Sequence, residues 1–281
     1  MHDPNHDSGH DTLRDAHTLD QAETSPSQIV EAAEELAAEG LAAENRGEPF
    51  ERPVIDHYGE PVSELVKIVI EDNGEPLVDI FRVCPDLRWA PESPRWGFPR
   101  SGLARETVAF QLRKAQQLLP RGLSLQIVGA FRPFDIQKAM YDRARAELAE
   151  KHPDWDDDLL TEYINVFSAP PILDTPPPHT TGGAVDMGII DEAGERLDMV
   201  SPLEMGWDSA PTHMEGLSEI ARQNRALLIS VLSEAGITNF AGEWWHWSWG
   251  EPGWALRTGR AVALYGAVPE DKIPDWEPPS L

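Results

Sequence analysis

The stretch HTTGGAVDMGI at residues 179–189 decides the fold, because it joins a glycine-containing loop to a strand that carries one carboxylate. Side chains alternate between the two faces of a strand, so Val185, Met187 and Ile189 form an apolar face while Asp186 lies on the other. A carboxylate within an apolar segment is costly unless it is hydrogen-bonded or coordinates a metal. The stretch therefore predicts a partner for its aspartate.

His179 is the first candidate for that partner, since the glycines after it allow the loop to fold back beside Asp186. Two interpretations of this pair remain open. One is a hydrogen bond between the histidine and the aspartate that closes a turn. The other is a metal site to which both side chains contribute a ligand.

A second stretch, EWWHWSWG at residues 243–250, favours the metal. We expect a strand here, with Trp245, Trp247 and Trp249 on one face and His246 on the other. A histidine among tryptophans can also be an ordinary core residue. Together with the first pair, however, it supplies a second imidazole beside one carboxylate, a ligand set that leaves zinc a fourth position for water.

Glu243 lies three positions before His246 and is out of phase with it on an ideal strand. Glu243 therefore need not be a fourth ligand. If the strand begins or bulges there, its carboxylate approaches the bound water from the side, which is where a general base belongs. The tryptophans around it would exclude water and strengthen the electrostatics of the site.

The composition limits the function classes. The 281 residues include 23 Lys and Arg against 49 Asp and Glu, a formal net charge of −26. A surface this negative repels phosphate backbones and anionic lipid, so we expect no nucleic-acid partner and no membrane partner. The single cysteine, Cys84, excludes an intramolecular disulfide. Neither a secretory signal nor a long apolar run is visible, which favours a cytoplasmic location.

The chain begins with two parts that lack the composition of a folded core. Residues 1–24 are polar and predict a disordered acidic tail. Its histidines, His2, His6 and His10, allow only a weak metal-binding hypothesis, because aspartates and glycine surround them. Residues 25–59 predict a helical extension with a capping box at its start, followed by a linker.

Residues 60–267 predict one α+β domain, and residues 268–281 a proline-rich tail. Within the domain, the signals are hydrophobic periodicity and the turn residues between the periodic segments. We expect a hairpin at Asn73-Gly74, helices over 103–119, 135–152 and 216–235, a stiff loop over 170–178, and strands over 123–131, 182–190 and 243–249.

Three blocks occur in a defined order: FRPFDIQ at 131–137, PHTTGGAVDMG at 178–188 and EWWHWSWG at 243–250. They resemble the signature stretches of the zinc D-alanyl-D-alanine dipeptidases, the vancomycin-resistance-type enzymes related in fold to zinc D,D-carboxypeptidases and the hedgehog signalling domain. Further similarity lies in DLRWAPES at 86–93 and NRALLISVLSEAGITNF at 224–240. The resemblance implies a hedgehog/D,D-peptidase-like domain in which helices flank a mixed, largely antiparallel sheet.

The resemblance also implies roles for individual residues. One zinc ion per chain would be bound by His179, Asp186 and His246. Glu243 would take a proton from the zinc-bound water and pass it to the leaving amine. Arg132 would stabilise the negative charge that develops on the scissile carbonyl. These roles agree with the chemistry of amide hydrolysis.

Without the resemblance, Arg132 could also be a structural arginine paired with a carboxylate or a phosphate, although that is the less favoured interpretation. The stretch MGWDSAPTHM at 205–214 loosely resembles the family's acidic segment that binds the substrate ammonium group, and Asp208 is our candidate for that role. We expect the substrate-binding residue to lie there.

We therefore expect a zinc metallopeptidase that hydrolyses the dipeptide D-Ala-D-Ala. A D,D-carboxypeptidase acting on muramyl peptides is one alternative, and a non-catalytic, zinc-stabilised binding module is the other. Glu243 and Arg132 argue against the module, because a purely structural zinc needs neither. A small D,D-dipeptide is the expected partner, and the sequence leaves the oligomeric state open.

Overall fold

A five-stranded mixed sheet organises the domain. The computed structural model describes residues 55–91, 100–206 and 208–274. The strands are β1 Val69–Ile70, β2 Leu77–Asp79, β3 Arg88–Trp89, β4 Leu103–Arg105, β5 Ser124–Gly129, β6 Ala184–Ile190, β7 Thr238–Asn239, β8 His246–Ser248 and β9 Val262–Ala263. In the sheet the strand order is β3-β5-β6-β8-β7, with only the β3–β5 pair parallel. This confirms the predicted α+β class and the largely antiparallel pairing.

Helices cover the sheet. They are α1 Val62–Leu65, α2 Ile80–Val83, α3 Glu106–Leu118, α4 Phe134–Lys151, α5 Asp157–Phe167, α6 Glu219–Ala235 and α7 Pro252–Arg257, with 3₁₀ turns at Pro178–Thr181 and Glu270–Lys272. The three long helices predicted from the sequence are confirmed as α3, α4 and α6. Helix α5 was not predicted, although the side chain of Asp156 caps it by accepting a hydrogen bond from the Leu159 backbone N–H.

The two faces of β6 have the different environments that its sequence predicts. Val185, Met187 and Ile189 are each no more than 1% exposed and pack in the main core with residues of α3 and α6. Burial of an aliphatic side chain of this size contributes about 1.5–3 kcal/mol relative to its exposure. Asp186 and Gly188 lie on the opposite face and line a cavity. The apolar face packs the strand into the core, and the opposite face is available to bind a ligand.

The predicted hairpin at Asn73-Gly74 is wrong. The turn forms, with Gly74 at φ +72° and its N–H bonded to Asp72 Oδ1 at 2.8 Å. The strands on either side do not pair with each other, because β1 pairs in parallel with β9 and β2 pairs antiparallel with β4. The backbone N–H of Asn73 donates to Leu264 O at 3.0 Å, so distant segments take the hydrogen bonds that a hairpin would need.

The strand predicted over 243–249 is shorter than expected, since β8 begins only at His246. A turn precedes it, in which Glu243 N–H donates to Phe240 O and His246 N–H donates to Glu243 O, each at 3.1 Å. Those hydrogen bonds replace the ladder that a strand would form. Because the turn ends at His246, Glu243 is freed from the alternation of the strand.

The ends of the chain lie partly outside the described residues. The predicted tail over 1–24, with its histidines, lies wholly outside them, and so do the helical extension and linker predicted over 25–59, except for residues 55–59. Residues 268–274 pack on the domain: Val268 and Ile273 are buried with Phe131, and the Val268 N–H donates to Thr180 O at 2.9 Å. Within the described part of the chain, none of the helices combines the length and apolar character that crossing a membrane requires.

Candidate active site

Three elements bring His179, Asp186 and His246 together. His179 lies on the 3₁₀ turn Pro178–Thr181, which follows a proline-rich loop without regular structure over most of its length. Asp186 and His246 face each other as a register pair of the antiparallel strands β6 and β8. One nitrogen or oxygen atom from each side chain lies within 4.8 Å of the other two, and all three residues are buried.

His179 is held in one orientation by its backbone contacts. Its Nδ1 lies 2.8 Å from Ala130 O, so this nitrogen donates its proton to a carbonyl. The other ring nitrogen, Nε2, then carries a lone pair and lies 3.2 Å from Asp186 Oδ2. Burial, and next the positive charge of Arg132, lower the pKa of His179 to about 4. The ring is therefore neutral at neutral pH, the form that binds a metal.

Asp186 stands between the two rings. Its Oδ1 lies 2.9 Å from His246 Nδ1. Burial alone would raise the pKa of this carboxyl, but the charges and hydrogen bonds of His179 and His246 outweigh it and hold the pKa well below its usual range. Burial likewise would lower the pKa of His246, but the hydrogen bond and charge of Asp186 raise it. The carboxylate is thus ionised, and a metal would compete with the proton on His246.

The donor set of this cluster fits a zinc ion. Two imidazoles and one carboxylate are a common combination of protein ligands in zinc enzymes, and they leave a coordination position open. The hydrogen bond from His179 Nδ1 to a backbone carbonyl is the outer contact that metal-binding histidines typically make. The residues present therefore match the group that they would hold.

Glu243 lies beside the cluster, on the turn before β8. One of its carboxylate oxygens, Oε2, is 3.9 Å from His246 Nδ1, and its side chain is 16% exposed. Burial is the main cause that raises the pKa of Glu243 to about 7, against the charge of His246, which lowers it. The side chain of Trp245 also acts on this carboxyl and opposes the rise in its pKa. A carboxyl that is balanced between its two protonation states near neutral pH is suited to proton transfer.

Arg132 follows β5 directly and lies against the cluster from another side. Its Nη2 is 3.0 Å from Asp186 Oδ2, and its backbone N–H donates to His179 O at 3.1 Å. Gly129 allows this approach, because a Cβ atom there would lie 3.3 Å from Arg132 Nη2. The structure thus pairs the arginine with a carboxylate, as in its structural interpretation, and also places a positive charge at the cluster.

Asp208 is not brought to the cluster. It is exposed and is not among the described residues that line the cavity. Its charge acts on Tyr163, where burial first and Asp208 second raise the pKa of the phenol. Binding of a substrate ammonium group by Asp208 remains a prediction.

A cavity of about 620 Å³ extends over the face of the sheet that carries Asp186. Side chains of α4 and α5 and of the segment 196–206 form much of its wall. Gln126 on β5 and Arg196 are polar members of this wall. The turn residues before Arg196, DEAGE, were the available sign that the chain folds back there towards the strand.

Comparisons with known proteins agree with this geometry. The peptidase family described as D-ala-D-ala dipeptidase matches residues 99–261, a span that contains every residue of the cluster. A D-alanyl-D-alanine dipeptidase of Synechocystis sp. is 26% identical over 247 residues, which cover 75% of this chain and 99% of that protein. A D-alanyl-D-alanine dipeptidase of Escherichia coli is 29% identical over 68 residues, or 24% of this chain and 35% of that protein.

Proposed function

Because the chain belongs to the M15 family of D-Ala-D-Ala dipeptidases, a family of metallopeptidases, we propose that it is a zinc enzyme that hydrolyses the free dipeptide D-Ala-D-Ala. The observation that carries this proposal is the buried cluster of two histidines and an aspartate, with a glutamate and an arginine at its edge. The similarity to the Synechocystis dipeptidase along nearly its whole length supports the substrate.

His179, Asp186 and His246 would hold one zinc ion per chain. Bound there, zinc supplies Lewis-acid chemistry, polarising a carbonyl and making water a better nucleophile at neutral pH. The cluster contributes orientation: β6 and β8 fix two of the side chains in register, and the Ala130 carbonyl fixes the third. A site built from strand backbone holds its geometry better than one built on loops alone.

Glu243 would act as the general base. Its position at the end of the turn leaves the carboxylate beside His246 without making it part of the buried triad. It can accept a proton from the attacking water and return it to the amine that leaves. The side chains of Trp244 and Trp245 line the same cavity as the carboxylate, so bulk water has restricted access to the proton being moved.

Arg132 would stabilise the charge that appears on the scissile oxygen. Its guanidinium is fixed by Asp186 and Gln137, with Nη1 3.3 Å from Gln137 Oε1. A donor that is already oriented costs no reorganisation when charge develops, which is why such groups act mainly on the transition state. The arginine therefore has a catalytic role as well as its ion pair.

A D,D-carboxypeptidase acting on longer peptides is a second candidate, and the size of the cavity favours it. The eleven heavy atoms of D-Ala-D-Ala fill at most roughly 330 Å³, if none takes more than the about 30 Å³ of a water molecule. The cavity of about 620 Å³ is larger than this. The extra space would accommodate residues on the amino side of the cleaved bond.

One assay separates these candidates. Purified protein, loaded with one equivalent of zinc, is incubated with D,D-, L,D- and L,L-dipeptides and with a muramyl pentapeptide ending in D-Ala-D-Ala, with and without chelator. We expect chelator-sensitive release of D-alanine from D-Ala-D-Ala and little from the other dipeptides. Faster cleavage of the pentapeptide would assign the carboxypeptidase activity, and no D,D cleavage by the zinc-loaded protein would refute the proposal.

A further inference from the structure

Arg196 is anchored to the sheet beyond the metal cluster. A tight turn over 191–195, in which Asp191 Oδ1 accepts the N–H groups of Ala193 and Glu195 at 2.9 Å, leads back from β6. Arg196 then bridges to Ile190, and the next N–H donates to Ile189 O at 2.9 Å. The backbone of Arg196 is thus fixed against β6, and its exposed side chain lines the mouth of the cavity.

A buried glutamine orients this arginine. Gln126, 5% exposed on β5, accepts a hydrogen bond from Arg196 Nε at 2.6 Å. Within residues 55–91, 100–206 and 208–274, no carboxylate pairs with the Arg196 guanidinium and no acceptor binds its two terminal amino groups. Those amino groups form the planar fork that binds a carboxylate through two parallel hydrogen bonds.

Three other arginines of the described chain are paired with carboxylates. Arg105, Arg132 and Arg257 pair with the carboxylates of Asp72, Asp186 and Glu60. In a chain with a net charge of −26, carboxylate partners are plentiful. A guanidinium that is oriented by a neutral amide, at the mouth of a cavity, is left able to bind an anion from solution.

The floor of the cavity between Arg196 and the metal cluster, which is the surface of β6 at Gly188, is not blocked by a side chain. Gln126 pairs in register with Gly188, which is two residues from Asp186 on the same face of β6. Gly188 and Asp186 are therefore about 6.7 Å apart along the strand. Gly188 has no side chain, and a Cβ atom there would meet no other atom closer than 3.9 Å, from Trp244. Nothing on the strand obstructs a short ligand that lies across Gly188.

A dipeptide has the length that this floor requires. The scissile carbonyl carbon and the terminal carboxylate carbon are joined by three bonds and lie less than about 4.5 Å apart. A charge-assisted hydrogen bond at the carboxylate adds about 2.8 Å. A carbonyl placed at the cluster would thus bring the carboxylate of the last residue within reach of the arginine.

We propose that Arg196, oriented by Gln126, binds the free C-terminal carboxylate of the substrate and thereby selects peptides that end one residue after the cleaved bond. This assignment rests on the proposed dipeptidase function and deepens it. Arg132 and Arg196 then interact with two different negatively charged groups of the reacting substrate. Arg132 acts on the charge that develops during the reaction, and Arg196 acts on the charge that is present throughout.

The test compares D-Ala-D-Ala with its C-terminal amide, which lacks the negative charge. Wild-type enzyme should prefer the acid. Arg196→Ala should raise KM for the acid about 10- to 100-fold and leave kcat little changed. The reason is that this hydrogen-bonded charge pair is present in both the ground state and the transition state and stabilises them equally. The amide should be cleaved equally by both proteins. Arg196→Lys should restore part of the preference, since it keeps the charge and loses the fork.

Two further variants make the result specific. Gln126→Leu removes the acceptor that orients the guanidinium and should reduce the preference by a smaller factor. Arg222→Ala removes an exposed arginine that pairs with Glu219 on α6, and it should leave the acid-to-amide ratio unchanged. Calorimetry in the Glu243→Gln background gives a readout without turnover, where Arg196→Ala should weaken binding of the acid alone.

An acid-to-amide ratio that Arg196→Ala leaves unchanged, or a wild-type enzyme that cleaves both substrates equally well, would overturn the assignment while D,D-dipeptidase activity persists. Absence of activity in zinc-loaded wild-type protein is a different result, because it refutes the proposed function itself. The two failures are therefore distinguishable.

Discussion

Arg132 and His179 converge on one oxygen atom of Asp186. Oδ2 lies 3.0 Å from Arg132 Nη2 and 3.2 Å from His179 Nε2, while Oδ1 faces His246. A single carboxylate thus connects the arginine to both imidazoles. Replacement of any one of these groups is expected to change the position and charge state of the others, so metal content has to be measured together with activity.

Arg132→Ala should lower kcat and kcat/KM together, by about 10²–10³-fold, because a donor to a developing oxyanion acts mainly in the transition state. Arg132→Lys should recover only part of the activity, since an ammonium group lacks the planar fork. Steady-state kinetics with D-Ala-D-Ala, on variants shown to retain zinc, measure this. A pure rise in KM would mean that Arg132 binds substrate and not the transition state.

His246→Ala should abolish stoichiometric zinc binding, because it removes one of three ligands and leaves Asp186 with one ring. Metal analysis after dialysis against a weak chelator gives the ratio of zinc to protein. The matched control replaces His2, His6 and His10 together by alanine and should keep one zinc per chain. The reverse pattern would transfer the metal site to the N-terminal histidines.

Glu243→Gln should bind zinc about as well as the wild type and lose about 10²–10⁴-fold in kcat, because the amide keeps the shape but cannot accept a proton. Kinetics and metal analysis on the same preparation separate the two effects. If the variant keeps more than about half of the wild-type kcat, Glu243 is not the general base.

Gly183→Ala should destabilise the fold by about 1–3 kcal/mol, because overpacking at a site that cannot relax carries a cost of this size. A Cβ atom at Gly183 would lie 2.6 Å from Trp249 O, a backbone atom, and 2.9 Å from Thr181 Oγ1. Urea unfolding measures the change in the free energy of unfolding. Gly188→Ala, within β6, is the control: the nearest atom there is 3.9 Å away, and the change should shift stability by less than about 1 kcal/mol.

The alternation around Asp186 could be predicted because the side-chain period of a strand is a local property. By the same rule, Glu243 could approach the cluster only if the strand began or bulged at that point, and β8 does begin after it, at His246. Helix α5 was missed although its signals were local: Asp156 is a capping residue, and Leu160 and Ile164 are spaced for one buried face.

The errors and omissions at longer range have a different cause. The hairpin at Asn73-Gly74 failed because the partner of β1 lies near Val262, far along the chain, and local turn chemistry says nothing about it. The contact between Gln126 and Arg196 depends on the register of β5 on β6. The sequence around either residue does not indicate that register, so the contact could not be predicted. Pairing between distant segments is decided by packing of the whole domain.

The register of β6 on β8 gives the metal a second use, as an indicator of folding. Asp186 pairs with His246 across the two strands, and a slip by one residue would turn one of them to the core face. A chain paired in the wrong register would then be unable to complete the site. The proportion of molecules that retain zinc in a preparation would therefore count the molecules whose strands are correctly aligned, before any substrate is added.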